Sequence, residues 1–592
     1  MGVGSEPTDG GVTRRQVLAG SAAAAAGSAG CLGQVESFLG TATPEQLSLE
    51  IKTLPADEDE TATRIARLLT KRLTAVGIDA EIELLPAAQL WREVHVGHDF
   101  DLYVGGMPIG QDPDFLRPLL HSQYTEDSGW QNPFGLADLE LDELLTSQQQ
   151  QAGSTRVETV GEIQHTVARE QPFTPLVAEQ AIAAVGTDRF SGWSTFPARD
   201  PLWILGLQPT SGDASRPQHD RTLTIATTDG SLTRSFNPLT DGFGVLDMAT
   251  ALLYDPLVRY YDDGFHPWLA ESLRWNDAAD EQLTLRLRED LRWHDGTPLT
   301  AEDVAFTLSF LSDTTLDSTS RYAPAPKYRA RTDLFRSVRV VDDQVLRIAV
   351  DGSEPLATWG LTVPPLPKHI WAERTGLVDA DRGVTEALAT DNLDPVGSGP
   401  LAFESRSAGE RATLTAFADH PVNREYDSML TRRFEDLAVT ELTFLVAPSD
   451  VTAINHVELG EADVTAATLG SENLSRIRDR DALSTVVSES RQLYHLGFNS
   501  RAPPLHNPNL RRAIARLLDK GEIAETVFDG FGTPMATPLV DAEWVPVDLQ
   551  WTGVDPEVPF AGSDGELDVE SAREYFREAG FRYTDRDRLV YR

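Results

Sequence analysis

The sequence predicts a mixed α/β class, and three observations lead to this prediction. Apolar and polar residues alternate as in strands at 222–227, 282–288 and 345–350. Apolar residues recur at helical spacing at 61–76 and from about 156 to 169. A chain of 592 residues with 41% hydrophobic content can also bury several cores rather than one. We therefore expect strands and helices interspersed in mixed sheets, in an α/β or α+β arrangement.

The first third of the chain begins with a strand pattern at 47–51, which leads into the helix at 61–76. Gly77 is positioned to end that helix, and a second strand pattern follows at 80–84. Residues 208–220 contain almost nothing apolar and are predicted to form a linker. We find no internal repeat of fixed period in the sequence.

Two helix starts are predicted after the linker. Thr300 precedes Asp303 by three residues, which is close to a capping box. Asn507 and Pro508 provide an N-cap and a proline at the first helical position, ahead of the apolar residues of 510–518. These signals are local, because each depends only on residues within one turn of helix.

The composition restricts the class of partner. The net charge is −41, and the acidic residues are spread along the chain. Such self-repulsion is tolerated best where salt screens it, so we interpret the sequence as halophilic. A nucleic-acid partner is disfavoured because a phosphate backbone requires a basic surface. The sequence holds one cysteine, so a folded domain would rely on its core rather than on disulfides.

The start of the chain has the pattern of an export signal. Arg14 and Arg15 precede a weakly apolar, alanine-rich run at 18–29, and small residues lead directly into Cys31. The run is shorter than the roughly 20 residues that span a bilayer. It resembles a twin-arginine signal with a lipobox, in which Cys31 is the lipid attachment residue and 32–46 form a tether. The alternative is an alanine-rich leader with a chance cysteine.

From residue 221 onward, short motifs resemble the family of extracellular solute-binding proteins that serve peptide and nickel ABC transporters (family 5). They occur in the family's order, and the block LREDLRWHDGTPLTAEDVA at 287–305 is the most specific of them. The others are TLTIAT with Asn237-Pro238-Leu239, 253–258, 267–272, 367–371, 395–400, 459–464, 494–499, 510–514 and 518–520.

The resemblance also predicts a circularly permuted order. The chain ends soon after 572–581, where roughly the last quarter of a usual family member would follow. Segments of 47–207 resemble that quarter, namely 62–78, 99–106, 111–116 and 171–176. Residues 208–220 would then join the family's old C-terminus to its old N-terminus. The alternative is a separately folding fragment, 47–207, fused to a truncated protein.

The resemblance implies a two-lobed periplasmic-binding-protein-like fold that closes over a ligand. The first lobe would combine about 185–207, 221–250 and 393–490, with an accessory domain at 251–392. The opposing lobe would combine 491–592 with 47–184. The protein would act outside the cell as a monomer, anchored by lipid, and would deliver a small ligand to an ABC permease.

The implied ligand is peptide-like, although one loop departs from the family. Peptide-binding relatives carry an acidic residue there that pairs with the ligand's α-amino group, and the comparable position is Ile109. Met107 replaces the usual aromatic residue of that loop. Asp112 is the candidate for pairing with the ammonium, and the alternative is a turn residue ahead of Pro113.

Five further residues are candidate ligand contacts, each with a structural alternative. Asp229 and Asn237 follow the first strand of the first lobe, where turn chemistry is the alternative. Tyr322 and Trp359 would form an aromatic wall, or pack in a core. Asn499 is a further candidate, and a structural hydrogen-bonding role is the more favoured interpretation for it.

No enzyme activity, cofactor or metal is predicted. The pair His294-Asp295 resembles a catalytic or metal pair, yet no third ligand accompanies it at a diagnostic spacing. Ser398 lies outside any G-x-S-x-G pattern. His95 and His98 are close in sequence, and two ligands do not make a site. A nickel or haem cargo is therefore not indicated.

The sequence is also compatible with other functions. The same fold would serve a sensor that docks to a signalling partner rather than to a permease, and the receptor's ligand would alternatively be an oligosaccharide or another solute. An enzyme would need a nucleophile–base or metal set that the sequence lacks.

Overall fold

The computed structural model describes residues 45–110, 112–193, 202–210, 221–240, 245–261, 264–276, 282–320, 322–379, 383–423 and 439–591. Everything below refers to these ranges. The predicted signal peptide, with Arg14, Arg15 and Cys31, and nearly all of the predicted tether lie outside them.

The strands, numbered in chain order, lie within the described ranges as follows. They are β1 (Glu45–Gln46), β2 (Ser48–Thr53), β3 (Asp79–Leu84), β4 (Leu102–Pro108), β5 (Phe173–Gly186), β6 (Phe190–Ser191), β7 (Gln208–Pro209), β8 (Thr222–Thr227), β9 (Val258–Tyr261), β10 (Gly264–Pro267), β11 (Ala270–Trp275), β12 (Leu283–Leu287), β13 (Phe335–Asp342), β14 (Val345–Val350), β15 (Leu377–Asp379), β16 (Val384–Thr385), β17 (Leu401–Ser407), β18 (Arg411–Ala416), β19 (Glu441–Val446), β20 (Val464–Thr465), β21 (Leu483–Phe498), β22 (Gly532–Pro534), β23 (Gly562–Ser563), β24 (Glu566–Leu567), β25 (Arg582–Tyr583) and β26 (Leu589–Tyr591).

The α-helices are numbered in the same way. They are α1 (Glu60–Ala75), α2 (Ala87–Trp91), α3 (Leu116–Leu120), α4 (Leu139–Ser147), α5 (Gly153–Glu170), α6 (Leu202–Gly206), α7 (Val245–Leu253), α8 (Ala301–Ser312), α9 (Arg329–Thr332), α10 (Glu354–Gly360), α11 (Lys368–Trp371), α12 (Glu386–Ala389), α13 (Asp450–Glu458), α14 (Leu474–Arg478), α15 (Pro508–Ala515), α16 (Lys520–Thr526) and α17 (Val569–Glu578).

The elements with the cleanest local patterns form as predicted. The alternating stretches at 222–227 and 345–350 are β8 and β14. Thr300 caps α8 in a reciprocal capping box with Asp303. Asn507 caps α15, with its side chain accepting from the backbone N–H of Asn509. The mixed α/β class is therefore confirmed.

One eleven-stranded mixed sheet runs through the molecule. Its order is β17-β18-β19-β8-β20-β5-β21-β4-β2-β3, and β22 pairs with β5 beside this path. Strands β2 to β5, from the first 186 residues, thus share a sheet with strands from beyond residue 221. The pairing is parallel within β2, β3 and β4, and antiparallel where β4 meets β21.

The buried apolar residues of the described ranges form separate clusters that mark two lobes. In the first lobe, the buried residues around β8, β18 and β19 form one cluster with Phe306 and Phe310 of α8. In the second lobe, α1, α15 and α17 pack around β2, β4 and the end of β21. A further cluster surrounds β11, β12 and β14, which lie in the predicted accessory domain. The fold is two-lobed, as the resemblance implies.

Two long antiparallel strands, β5 and β21, cross from one lobe to the other. The first half of β5 and the end of β21 pair next to β4 in the second lobe, and their other halves lie beside β20 in the first lobe. At the crossing the pairing jumps from Glu489↔Gln180 to Leu493↔Ala178, so residues 490–492 form an irregular bulge. Bulges bend a strand and interrupt its ladder, and we call this crossing the hinge.

The two ends of the described chain meet. β1 pairs antiparallel with β26, and the backbone N–H of Leu47 donates to the carbonyl of Leu589 at 2.9 Å. Gly77 ends α1 with φ +90°, and an added Cβ would lie 2.0 Å from the Asp587 carbonyl oxygen. Glycine is therefore required where the first third of the chain contacts the last hairpin.

The predicted linker at 208–220 is corrected at its start. Residues 208–209 are β7, which pairs with β6. Thr210 donates its backbone N–H to the Arg189 carbonyl at 3.0 Å. Backbone pairing needs no apolar side chain, so the polar composition of this stretch concealed the strand. Residues 211–220 lie outside the described ranges.

Asp59 is the partly buried N-cap of α1, and we expect Asp59→Asn to stabilise the protein in alkaline buffer. Its carboxylate accepts from the Ala62 N–H at 2.8 Å and from the Tyr494 hydroxyl at 3.3 Å. Burial nevertheless raises the pKa of Asp59 to about 6. Because the folded state holds this proton more tightly than the unfolded chain does, ionisation costs stability above pH 6 and none below pH 4. Asparagine keeps the acceptor and cannot ionise.

Denaturant unfolding at pH 4 and pH 8 measures the effect. Since a tenfold difference in proton affinity between the folded and unfolded states corresponds to about 1.4 kcal/mol, the free energy of unfolding rises by ~1–3 kcal/mol at pH 8 and changes little at pH 4. Asp568→Asn is the matched control, because Asp568 caps α17 from an exposed position and its backbone and side-chain hydrogen bonds lower its pKa. The control destabilises at pH 8. Equal effects of Asp59→Asn at both pH values would contradict the expectation.

Candidate functional site

The loop after β4 lies at the hinge, where the two lobes face one another. Met107 is opposite Leu493 in the β4–β21 ladder, directly beside the bulge. Met107 and Ile109 are 1% and 4% exposed, and both belong to an apolar cluster that includes Leu493, Met535 and Leu539. The structure thus places both predicted ligand contacts, Met107 and Ile109, in one apolar cluster of the second lobe. Their contact with a ligand stays a prediction.

Asp112 is buried in the same loop and already has a cationic partner. Arg156 of α5 donates from Nη1 to Asp112 Oδ2 at 2.9 Å and from Nη2 to Oδ1 at 2.5 Å. Oδ1 also accepts from the backbone N–H of Asp114 at 2.8 Å, which caps a short 3₁₀ turn at 113–115. A ligand ammonium would have to compete with a bidentate guanidinium. The pairing role of Asp112 stays a prediction, and the ion pair argues against it.

The second carboxylate of this loop, Asp114, is also occupied. It is fully buried, and Arg117 Nη2 donates to its Oδ2 at 3.0 Å. The amide of Gln148 donates to its Oδ1. Burial still raises the pKa of Asp114, against the lowering effect of Arg117. The two carboxylates of the loop therefore form a compensated network rather than a free negative charge.

The two candidates of the first lobe are engaged in local structure. Asp229 accepts from the backbone N–H of Ser231 at 2.8 Å, as a turn residue does. Asn237 is 1% exposed, and its amide donates to the carbonyls of Ala387 and Thr390, each at 2.8 Å. Its Oδ1 accepts from the backbone N–H of Leu239 at 2.9 Å. The amide and the carbonyl oxygen of the Asn237 side chain are thus both engaged within the protein.

Tyr322 and Trp359 lie on either side of α9 in the accessory domain. Tyr322 is 51% exposed, and Arg329 lies over its ring at 5.1 Å and donates to its hydroxyl at 2.5 Å. Trp359 is buried in a small cluster with Ala330, and Arg331 lies 5.3 Å from its ring. Tyr322 is therefore the more accessible of the two.

Asn499 bonds the end of β21 to the segment 98–100 in the second lobe. Its amide donates to the carbonyls of His98 at 3.0 Å and Phe100 at 2.9 Å. Its Oδ1 accepts from the backbone N–H of Arg501 at 3.3 Å. These bonds fit the structural alternative, and they place Asn499 at the opposite end of β21's second-lobe segment from the hinge.

His294 joins two of the sequence motifs instead of forming a catalytic pair. Its Nδ1 accepts from the Gly397 N–H at 3.2 Å, and its Nε2 bonds the Gly399 carbonyl at 3.0 Å. The bond accepted by Nδ1 requires the neutral imidazole, and burial lowers the pKa of His294 to about 4. Asp295 caps the adjacent turn and bonds His369 at 2.8 Å. Ser398 accepts from the backbone N–H of Asp255. The WHDG motif (293–296) and the GSGP motif (397–400) are thus bonded to each other, and we call this contact the joint.

Within the described ranges, His, Cys, Asp and Glu form no group of three or more that could hold a metal ion. His95 and His98 each have a pKa lowered by burial, to about 3 and about 4. Of the helices described, none is long and apolar enough to cross a bilayer.

Sequence reasoning missed the residues that hold this site together. Arg156 lies 44 residues from Asp112, and Arg117 lies 213 residues from the Ala330 carbonyl that it contacts. Tyr124 is likewise 209 residues from its partner Asp333. An arginine in a helix gives no signal of a distant partner. The surplus of acidic residues made any one pairing harder to anticipate.

Comparison with known proteins decides the family. The profile described as "Bacterial extracellular solute-binding proteins, family 5 Middle" matches residues 264–590, which is more than half of the chain. The chain belongs to this family. Family 5 consists of solute-binding proteins rather than enzymes, in agreement with the prediction that this chain has no catalytic activity.

Family 5 proteins from several organisms are similar to this chain. A protein named as an ABC transporter peptide-binding protein of Brucella ovis is 25% identical over 334 residues, covering 55% of this chain and 57% of that protein. The periplasmic oligopeptide-binding protein OppA of Escherichia coli is 24% identical over 321 residues, covering 51% and 54%. The match thus spans a little over half the length of these curated relatives.

Solved structures also align with part of this chain, among them the two described next. AppA from Bacillus subtilis in complex with a nonapeptide is 19% identical, with a TM-score of 0.46 over 62% of this chain and 65% of that chain. NikZ from Campylobacter jejuni in complex with Ni(L-His) is 18% identical, with a TM-score of 0.43 over 63% and 66%.

Proposed function

We propose that this protein is an extracellular receptor that captures a small, peptide-like ligand by lobe closure and delivers it to an ABC importer. The observation that carries the proposal is the hinge, where β5 and β21 connect two separately packed lobes and residues 490–492 interrupt their pairing. Lobes with independent cores can move as rigid bodies about such a crossing. Family 5 membership supplies the class of function.

Export and anchoring form part of the same proposal. The twin-arginine pair Arg14-Arg15, the apolar run and Cys31 fit a lipoprotein signal. The described domain would stand outside the cytoplasmic membrane, held through the tether as a monomer. Export of the wild type and loss of membrane attachment in Cys31→Ser, seen by cell fractionation, would support this part of the proposal.

The permuted order is proposed as well. The shared sheet supports it, because β2, β3 and β4 complete the second lobe around β21. The pairing of β1 with β26 supports it too, since the chain's last strand lies beside its first. A separately folding 47–207 fragment would leave β4 and β21 as open edges. Expression of 221–592 alone tests the point, and a soluble, cooperatively folded product would contradict the permutation.

A peptide-like ligand is favoured by the names of the relatives from Brucella ovis and Escherichia coli. The loop after β4 suggests how such a ligand would bind. Met107 and Ile109 are buried in an apolar cluster, while Asp112 and Asp114 are neutralised by Arg156 and Arg117. We therefore propose that the ligand is held chiefly by its side chains and backbone rather than by its α-ammonium group.

Calorimetric titration in molar salt tests the receptor proposal. The full chain carrying Cys31→Ser is unfolded and refolded to remove bound ligand, and is then titrated with pools of short peptides and of oligosaccharides. We expect heat with peptides. Heat with oligosaccharides alone would support the receptor function and contradict a peptide ligand. No heat with either pool would count against the receptor proposal.

Whether the protein binds the α-ammonium group of a peptide can be tested with the wild-type protein. Peptides that bind are compared with the same peptides acetylated at the N-terminus, which removes the positive charge. We expect the two affinities to agree within about threefold, because Arg156 occupies Asp112. A loss of a hundredfold or more on acetylation would instead restore Asp112 as the ammonium partner. Asp112→Asn alone is a poor test, since it also breaks a buried ion pair.

A further inference from the structure

The lobes touch directly through a set of polar contacts between the second lobe and the accessory domain. Arg117 Nη2 donates to the Ala330 carbonyl at 2.8 Å, and the Tyr124 hydroxyl donates to Asp333 Oδ2 at 3.0 Å. Nearby, Gln131 donates to the Pro326 carbonyl at 2.8 Å. These bonds join residues that the hinge would separate on opening.

The second-lobe side is organised before any contact is made. Arg117 is held by Asp114 through Nε at 3.1 Å and Nη2 at 3.0 Å, and its Nη1 donates to the Tyr124 hydroxyl. Arg117 is 3% exposed, and Asp114 and Tyr124 are fully buried. A guanidinium fixed by a buried carboxylate loses little side-chain freedom when it meets a further acceptor.

The accessory-domain side presents a complementary pair. Arg329 and Asp333 are four residues apart and bond at 2.6 Å, so the carboxylate that accepts from Tyr124 is itself held in place. The guanidinium of Arg329 lies 5.7 Å from the Tyr124 ring, while that of Arg117 lies 5.9 Å from the same ring. Tyr124 is thus enclosed by two cations from opposite sides of the interface.

The positions of these charges make the contact specific to one arrangement of the lobes. Tyr124 bridges a cation of its own lobe and an anion of the accessory domain, and its ring is fully buried in this arrangement of the lobes. Asp127 adds an ion pair to Arg329 at 3.6 Å. Opening would separate the partners that lie in different lobes and leave the pairs Arg117–Asp114 and Arg329–Asp333 intact.

We propose that Arg117, Tyr124, Arg329 and Asp333 form an interlobe latch that stabilises the closed conformation whether or not a ligand is bound. The latch sets the fraction of unliganded protein that is closed, and therefore the apparent ligand affinity, without touching the ligand. This inference rests on the lobe closure of the proposed function and adds the residues that control it.

The test measures conformation without a ligand. Spin labels are attached at Leu139→Cys in the second lobe and Val378→Cys in the accessory domain, positions that are 79% and 60% exposed. The full chain also carries Cys31→Ser, which leaves the two labels as the sole thiols of the sequence. Distance distributions are recorded after refolding to remove bound ligand.

Tyr124→Phe keeps the enclosed ring and removes both hydroxyl contacts. We expect the ratio of open to closed protein to rise about tenfold, since the hydroxyl bonds a charged partner in a buried site. Asp333→Asn, at a half-buried position that does not endanger folding, shifts the ratio in the same direction. Tyr583→Phe is the matched control, because Arg573 and Arg577 also lie over the Tyr583 ring, at 5.4 and 5.2 Å, but within the second lobe. The control changes the ratio by less than about twofold.

Distributions for Tyr124→Phe and Asp333→Asn that both coincide with the wild type would overturn the latch. Because no ligand is present, that failure is distinct from failure of the receptor proposal, which appears as absent heat in the titration. A wild-type protein that binds peptide but shows no shift in either variant retains its proposed function and loses the latch.

Discussion

Lys520→Met is expected to lower the free energy of unfolding by about 3–5 kcal/mol. Lys520 and Asp555 are 2% and 4% exposed, and Lys520 Nζ donates to Asp555 Oδ2 at 2.5 Å and to the Met535 carbonyl at 2.8 Å. Burial lowers the pKa of Lys520, so the charged form depends on Asp555. Methionine has a similar volume, and the loss therefore comes from the carboxylate left without its cation.

Lys368→Met is the control for the same substitution on the surface. Lys368 bonds Glu302 at 3.0 Å with both side chains about half exposed, so its removal changes stability by less than ~1 kcal/mol. Adding Asp555→Asn to Lys520→Met recovers part of the loss, since the amide oxygen can still accept from the N–H groups of Glu557 and Val558. Guanidinium or urea unfolding at two salt concentrations measures all four proteins.

Salt separates the two lysines further. Ions screen the exposed Lys368–Glu302 pair and reach the buried Lys520–Asp555 pair much less. The penalty of Lys520→Met should therefore be the same in molar and in saturating salt. A penalty that disappears at high salt would show that the pair is solvated in solution, contrary to its burial.

The fold was predictable where its cause is local. Strand β8 follows from strict alternation over six residues, and the start of α8 from Thr300 and Asp303 three positions apart. Such signals survive in any tertiary context because they act within one turn or one strand. β7 was missed for the opposite reason, since only its distant partner β6 makes residues 208–209 a strand.

For the candidate site, the sequence shows which residues are neighbours along the chain but not which partners they have in the fold. The sequence placed Met107, Ile109 and Asp112 in one loop, whereas the structure has Met107 in β4, paired with Leu493, and Ile109 and Asp112 just after the strand. It could not show that Asp112 is neutralised, because Arg156 is one of many arginines and lies on a helix with its own amphipathic pattern. A carboxylate's availability depends on pairings across the fold, which no motif of neighbouring residues encodes.

Asn237 illustrates the same limit. Asparagine after a strand is typical both of turns and of ligand contacts, and the residue type does not separate them. The structure distinguishes the two roles, because Ala387 in α12 and Thr390 just after it accept hydrogen bonds from the Asn237 side-chain amide. Those carbonyls lie 150 and 153 residues away in sequence. Burial of polar side chains is thus decided by long-range packing.

Gly397→Ala is expected to destabilise the protein by about 3 kcal/mol or more, the upper range for overpacking. An added Cβ would lie 1.8 Å from the carbonyl oxygen of Leu253, which is backbone at the end of α7 and cannot rotate away. The same movement would break the Gly399 N–H bond to Leu253, now 2.8 Å, and both ring bonds of His294.

The loss should be concentrated at the joint between the first lobe and the accessory domain. His294 belongs to the accessory domain and Gly397 to the returning chain of the first lobe, so their separation loosens one against the other. Gly376→Ala is the control, because a Cβ there meets nothing within 4 Å. It should leave the unfolding midpoint unchanged or slightly raised. Hydrogen exchange, read together with denaturant unfolding, checks both points. If the amide hydrogens of α7 and of 290–299 are as protected in Gly397→Ala as in the wild type, the expectation is contradicted. The chain would then accommodate the added Cβ without separating the first lobe from the accessory domain.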